Sequence, residues 1–228
     1  RLGCIVDADS VWVNGKFVGF TAYQYPPRIY TVPANVLRPG LNNVTVRVVS
    51  NAGTPHFVPE KPHKFIFDDD SEISLEGKWK HAPGALMPQT PAHTDFFQNP
   101  ATLYNGLIAP MAPLPFRGVV WYQGESDIDI RNAYCGLMKT LIADWRDTFD
   151  NPQLPFYIVE LADFLHPSDT RGRAAWQQMR DAQRQAAEET DRAYWIKNGD
   201  IGEWNDIHPR DKQTPGRRSA EAILSTPR

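Results

Sequence analysis

The chain is poor in cysteine, and its charges nearly cancel. Only Cys4 and Cys135 occur among 228 residues, which suits inert thiols better than a disulfide framework or a metal site. The formal net charge of -3 comes without a basic stripe or an acidic tail, so nothing points to nucleic acid. No apolar run approaches the length of a membrane span. We therefore expect one large domain or two smaller ones that bind neither nucleic acid nor membrane.

The first part of the chain has the pattern of antiparallel β structure. Val11–Val13 and Lys16–Val18 flank Asn14-Gly15, a pair that accepts the positive φ values of a hairpin turn. Further short strands are predicted over 28–32 and 43–49, separated by turn residues. Residues 1–83 are thus predicted to form part of an antiparallel β-sandwich. Residues 84–103, rich in Pro, Ala, Thr and Asn, are predicted to connect it to a second domain.

From Tyr104 to the end of the chain, strands and helices are predicted to alternate. Apolar runs predict strands over 119–122, 154–161 and 193–196. Helices are predicted after each strand, the first capped by Asn132, the second over 173–189, and the third capped by Thr214 with Pro215 in its first turn. Such alternation predicts an α/β fold with a doubly wound parallel sheet over 104–228.

Polar residues follow each of the three predicted strands. Gln123 and Glu125 follow the first, Asp163 the second and Asp200 the third. Ligand chemistry in doubly wound sheets lies beyond the carboxyl ends of the strands. We therefore expect these side chains to converge on one crevice.

His208 is the candidate general base. A neutral imidazole held by a carboxylate can activate a serine hydroxyl, and Asp206 is close enough to be that carboxylate if the loop turns. Asn205 occupies the more usual offset of three residues. The alternative is a histidine that packs in the loop before the last helix.

The Gln123-Gly124-Glu125 turn offers donors for an oxyanion. Glycine lets the backbone approach a ligand closely, and a side-chain amide can donate where negative charge develops. The alternative is a turn whose polar groups satisfy neighbouring backbone. Ser126 lacks the flanking glycines of a strand-to-helix elbow, so it is not expected to be the nucleophile.

Four motifs together resemble the sialate O-acetylesterase family, a branch of the SGNH-type serine esterases. Trp176, Arg180 and Gln183 also look like that family's helix pattern, and residues 7–15 and 23–28 resemble its inserted galactose-binding-like β domain. The motifs occur in order and are Tyr104-Asn-Gly-Leu-Ile-Ala-Pro110, Gly118-Val-Val-Trp-Tyr-Gln-Gly-Glu-Ser126, Asp144-Trp-Arg146 and Ile207-His-Pro-Arg-Asp-Lys-Gln213.

The resemblance implies a cofactor-free esterase that removes O-acetyl groups from sialic acid through an acetyl-serine intermediate. His208 would be the base, Asp206 its partner with Asp200 as second choice, and Gln123 with Gly124 part of the oxyanion site. Glu125 would order that turn or bond near the histidine. The family's Gly-Gln-Ser-Asn nucleophile motif does not occur in this sequence, so the 104–228 region is expected to be the carboxyl-terminal part of an incomplete esterase domain.

Two alternatives stay open at this point. The substrate could be another acetylated glycan, such as acetylated xylan, or the chain could be a catalytically inactive, carbohydrate-binding fragment. We also expect a partner for the incomplete sheet, either an N-terminal fragment of the same protein or a second copy in a homo-oligomer. The resemblance places the protein in the periplasm or outside the cell.

Overall fold

The computed structural model describes residues 1–50, 54–88 and 99–226, and the chain divides into two compact units, Arg1–Met87 and Pro88–Arg228. Residues 84–88, at the start of the predicted connecting segment, have no regular secondary structure, and most of the rest of that segment lies outside the described residues. Across the described ranges, no helix has both the length and the apolar character that a membrane crossing requires.

The first unit contains antiparallel strands, as predicted. Its largest sheet has the order β3-β2-β4, built from β2 (Ala8–Val13), β3 (Lys16–Thr21) and β4 (Val44–Val49). Two smaller pairs join β1 (Ile5–Val6) to β5 (His56–Phe57) and β6 (Lys64–Ile66) to β7 (Glu72–Ser74). The predicted hairpin is confirmed, since Asn14 and Gly15 have φ values of 49° and 81° between β2 and β3. The galactose-binding-like sandwich stays a prediction.

The strand predicted over 28–32 is wrong. The backbone N–H of Arg28 donates to Gly3 O and its carbonyl accepts from Leu2 N, but no ladder continues from this pair. The guanidinium of Arg28 is fully buried and bonds Asp9 Oδ1 at 2.6 Å. It also lies within hydrogen-bond distance of the backbone carbonyls of Ile5, Asp7, Tyr23, Gln24 and Pro26. These bonds, three of them to residues 19 to 23 positions away, fix an irregular path where alternation alone favours a strand.

The second unit confirms the predicted alternation of strands and helices. Its order is β8 (Val119–Trp121), α1 (Arg131–Thr148), β9 (Phe156–Val159), α2 (Thr170–Glu188), β10 (Ala193–Ile196) and α3 (Gln213–Ser225). The three strands pair in parallel in the order β10-β9-β8. A parallel arrangement brings all three carboxyl ends to one edge of the sheet.

The central strand β9 is buried on both faces. Phe156 and Ile158 pack in the core formed with α1 and α2, whereas Tyr157 and Val159 pack in a second cluster that Ala222 of α3 joins. Helices therefore cover both faces of the sheet, as a doubly wound fold requires.

Two predicted helix caps are wrong. A 3-10 helix (Glu125–Ile130) leads directly into α1, so Ile130 is the N-cap and Asn132 lies inside the helix. Lys212, not Thr214, is the N-cap of α3, and the carboxylate of Asp211 accepts a hydrogen bond from the backbone N–H of Thr214 at 2.9 Å.

Candidate active site

The Gln123 side chain is held at both ends where β8 gives way to the 3-10 helix. Its amide Nε2 donates to Asp127 Oδ2 at 2.6 Å, and the Tyr134 hydroxyl lies 3.2 Å from its Oε1 and 3.0 Å from the backbone carbonyl oxygen of Gln123. The backbone carbonyl of Gln123 accepts from Gln183 Nε2 at 2.9 Å. Burial raises the pKa of Tyr134, so its hydroxyl stays protonated at neutral pH and can donate. The turn is therefore fixed by α1 and α2 as well as by β8.

Gly124 occupies a position that a side chain cannot enter without strain. It is buried, its φ is 144°, and a Cβ built there would lie 3.2 Å from Gln183 Nε2. Among the described residues, the backbone N–H of Gly124 donates to no acceptor. An N–H group in this state is a donor that a ligand can use.

Asp127, not Glu125, orders the turn. In residues 1–50, 54–88 and 99–226 the carboxylate of Glu125 forms no hydrogen bond or ion pair. Ser126 is exposed in the first turn of the 3-10 helix. The position of Asp127 four residues after Gln123 was the sequence signal for this contact, but an acid in a loop has too many other uses to be assigned from spacing alone.

A second polar network joins the carboxyl ends of the three strands. Buried Glu160, directly after β9, accepts hydrogen bonds from the backbone N–H groups of Asn198 at 2.9 Å and Gly199 at 2.7 Å, both after β10. Its other oxygen lies 3.0 Å from Arg180 Nε on α2. Asn198 Nδ2 in turn donates to the hydroxyl of Tyr122, directly after β8, at 3.0 Å. This network, which the sequence analysis missed, fixes the edge of the sheet where the loops begin.

The two aspartates predicted to share the crevice are each paired with an arginine. Asp163 Oδ1 lies 3.1 Å from Arg173 Nη2, and Asp200 forms two bonds with Arg218, at 2.7 and 2.8 Å. The hydrogen bonds from Arg218 lower the pKa of Asp200 to about 2. No contact in the described part of the chain joins either carboxylate to Gln123, so their convergence stays a prediction. The bidentate pairing with Arg218 gives Asp200 a role other than orienting His208.

His208 is exposed in a loop whose neighbouring residues are anchored. Ile207 packs against the main core and Pro209 is buried. The buried carboxylate of Asp206 accepts a hydrogen bond from the backbone N–H of His208 at 2.9 Å, the pattern of an Asx-turn. Backbone bonds from Asp163 N to Ile201 O and from Leu165 N to Trp204 O tie this loop to the one after β9. The loop therefore turns at Asp206, and the pairing of its carboxylate with the His208 imidazole stays a prediction.

Lys212 connects this loop to the end of β8. Its ammonium nitrogen lies 5.7 Å from the centre of the Tyr122 ring, in cation–π contact. Burial raises the pKa of the Tyr122 hydroxyl, so the ring stays neutral at physiological pH. The residue just before Gln123 and the residue four positions after His208 thus meet at the same edge of the sheet.

A metal centre is not indicated by the described residues, where no group of three or more His, Cys, Asp or Glu side chains is placed to hold an ion. Cys4 is buried and Cys135 partly buried, and both are free thiols. The polar groups at this edge include an amide, carboxylates and an ammonium, with the imidazole of His208 in the adjoining loop.

This second unit belongs to the class of α/β folds that place polar turns and loops at the carboxyl edge of a parallel sheet. Comparison with known proteins gives the family. A family model described as carbohydrate esterase, sialic acid-specific acetylesterase, matches residues 83–224. The chain belongs to this family.

Individual relatives match about half of the chain. Sialate O-acetylesterases from Mus musculus and Homo sapiens are each 32% identical over 133 residues, which cover 52% of this chain and 25% of the relative. A solved structure of a carbohydrate acetylesterase from Xanthomonas citri is 31% identical with a TM-score of 0.48, covering 53% of this chain and 28% of that one. The chain spans about a quarter of the length of the curated relatives it matches.

Proposed function

We propose that this chain is part of a carbohydrate esterase that removes O-acetyl groups from sialic acid. The observation that carries the proposal is the Gln123-Gly124 turn. It lies within the region matched by the esterase family and offers a donor at Gly124 with no protein acceptor among the described residues. His208, the candidate base, lies in the loop between β10 and α3. The name of these relatives, sialate O-acetylesterase, supports sialic acid rather than another acetylated sugar as the proposed substrate.

The proposed reaction is acyl transfer through a serine. A serine hydroxyl from outside this sequence attacks the carbonyl carbon of the acetyl ester, and His208 accepts its proton. The tetrahedral intermediate then breaks the bond to the sugar oxygen, which takes the proton from His208. Water repeats the sequence on the acetyl-serine, with His208 again as base, and acetate leaves.

The Gln123-Gly124 turn is proposed to stabilise the negative oxygen of the tetrahedral intermediate. One hydrogen of the Gln123 amide goes to Asp127, which fixes the orientation of the amide group and leaves the second hydrogen for a ligand. The N–H of Gly124 is the other proposed donor. Donors that are already oriented need no rearrangement as charge develops, which is why such sites accelerate acyl transfer.

Asp206 is the acid that we propose as partner of His208. Its carboxylate already bonds the His208 backbone, so the two residues are held within one turn of loop. Asp200 is committed to Arg218 by two hydrogen bonds. Glu125 stays a proposed member of the site, since its carboxylate is not bound within the described chain.

The test is the release of acetate by the whole protein. We expect His208→Ala to reduce kcat/KM for O-acetylated sialic acid at least about a thousandfold, because general base catalysis and nucleophile activation are both lost. His56→Ala, at an exposed histidine of the first unit, is the control. Near-normal activity in His208→Ala would refute the assignment.

Substrate class is decided in the same assay. Faster release of acetate from acetylated xylan than from O-acetylated sialic acid would move the substrate to plant polysaccharide. A wild-type protein that hydrolyses neither would favour the inactive, carbohydrate-binding alternative. Action in the periplasm or outside the cell, and pairing with a fragment or a second copy, stay predictions.

A further inference from the structure

Four arginines and Lys212, near the carboxyl edge of the sheet, differ in what holds them. Three arginines lie close to acidic partners, Arg173 to Asp163, Arg180 to Glu160 and Arg218 to Asp200, at 2.7 to 3.1 Å. Arg210 lies 3.8 Å from Glu203, a looser ion pair. Lys212 differs from all four, because within the described residues its ammonium contacts the Tyr122 ring and forms no hydrogen bond or ion pair.

The position of Lys212 does not suit a structural role. It is the N-cap of α3, where its side chain forms no capping hydrogen bond. The positive end of the helix dipole lies at the N-terminus, so a cation there is unfavourable. Asp211, the preceding residue, supplies the acceptor for the backbone N–H of Thr214 instead. A lysine at this point therefore contributes little to the helix and leaves a full positive charge exposed.

We propose that Lys212 binds the carboxylate of an acidic sugar and so makes the esterase selective for sialic acids over neutral acetylated glycans. This inference rests on the proposed function. Sialic acids are sugar acids and carry one carboxylate, which is ionised at neutral pH. The ammonium offers three donors and a charge that no acid of the described chain neutralises, while the Tyr122 ring holds it beside the residue that precedes Gln123.

The contact with Tyr122 matters for affinity as well as for position. A free lysine side chain loses rotamer freedom when it binds a ligand, and that loss weakens binding. The cation–π contact already restricts Lys212, and Tyr122 is itself held by Asn198 through its hydroxyl. The ammonium is thus partly ordered before a substrate arrives.

The experiment compares two substrates that differ only in charge, O-acetylated sialic acid and its carboxamide, with acetate release by the whole protein as the readout. We expect Lys212→Met to raise KM for the acid about tenfold or more with kcat little changed, because a charge-assisted hydrogen bond is lost. KM for the carboxamide should not move. Lys212→Arg should restore most of the preference, and the melting temperature of Lys212→Met should equal or slightly exceed that of the wild type.

Two control variants test the position and the charge separately. Lys139→Met removes the same charge from α1, where Lys139 pairs with Glu189, and should change neither KM. Arg210→Gln removes the other loosely held cation of the His208 loop. A loss of acid preference in Arg210→Gln but not in Lys212→Met would overturn the proposal.

The remaining outcomes separate this inference from the proposed function. If the wild type hydrolyses acid and carboxamide equally well, the esterase assignment stands and Lys212 has no role in selectivity. If Lys212→Met changes both substrates alike, the residue acts on the structure of the site and the inference is wrong. If the wild type releases acetate from neither, the proposed function fails and the inference fails with it.

Discussion

Replacing Glu160 by glutamine should destabilise the second unit far more than an ordinary Glu→Gln change. Glu160 Oε2 accepts two backbone N–H groups and Oε1 lies 3.0 Å from Arg180 Nε. A glutamine keeps one acceptor oxygen and puts an amide NH2 in place of the other, so a donor must face either the two backbone N–H groups or the guanidinium. The charge of Arg180, whose side chain is only 17% exposed, loses its negative partner in either case.

The size of the effect follows from burial. Breaking one side of a buried ion pair costs about 3–5 kcal/mol. We place Glu160→Gln near the lower end, about 3 kcal/mol, because the partial exposure of Arg180 lets water solvate it. Natural domains have about 5–15 kcal/mol of unfolding free energy in total, so the variant should fold with a clearly reduced margin.

Urea unfolding followed by tryptophan fluorescence measures this loss. With a slope of about 2 kcal/mol per molar urea, the midpoint should fall by about 1.5 M at unchanged slope. Glu189→Gln makes the same chemical change at an exposed pair with Lys139 and should leave the midpoint where it is. If the two variants behave alike, Glu160 does not hold the strand ends together. Tryptophan fluorescence reports mainly on the second unit, because five of the chain's seven tryptophans lie in it: Trp121, Trp145, Trp176, Trp195 and Trp204.

Two further predictions concern the turn and the last helix. Gly124→Ala should lower the free energy of unfolding in urea by about 1–3 kcal/mol, because φ is 144° and the new Cβ would crowd Gln183. Gly136→Ala in α1, where the Cβ enters open space, should be neutral or stabilising. Equal effects of the two changes would contradict the strain at Gly124. Asp200 has a pKa lowered to about 2, so its pair with Arg218 stabilises the fold above pH 3.8 and loses that effect as pH falls toward 2. Asp200→Asn should therefore be less stable than wild type at pH 6, the difference should shrink as pH falls from 3.8 to 2, and a difference that grows with acid would refute the pairing.

The parts of the fold that sequence analysis predicted correctly depend on local patterns. The Asn14-Gly15 hairpin needs only two residues that accept positive φ, and the apolar run around β9 needs only its own composition. The order of strands and helices in the second unit then follows from chain connectivity. The caps of α1 and α3 failed because neighbouring structure decided them, the 3-10 helix before Arg131 in one case and the Asp211 carboxylate in the other.

The polar networks of the site were beyond local prediction. Glu160 meets Asn198 across 38 residues, and Asn198 meets Tyr122 across 76. Each of these side chains, viewed in the sequence, is an unremarkable polar residue after an apolar run, and only the parallel pairing of the strands brings them together. The same holds for the contact between Lys212 and Tyr122, which no spacing along the chain indicates.

Arg28 and Lys212 show why breaking a local preference does not by itself mark a functional residue. Both are cations at positions that their type does not favour, one buried in a β unit and the other at a helix N-terminus. The guanidinium of Arg28 is surrounded by acceptors, a carboxylate and backbone carbonyls, so its hydrogen-bond donors and its charge already have partners within the protein. The ammonium of Lys212 contacts the Tyr122 ring and forms no hydrogen bond or ion pair within the described residues, so its charge remains available. A cation is a candidate for ligand binding when its protein partners leave its charge unpaired and also fix its position, and the contact with Tyr122 supplies the second condition for Lys212.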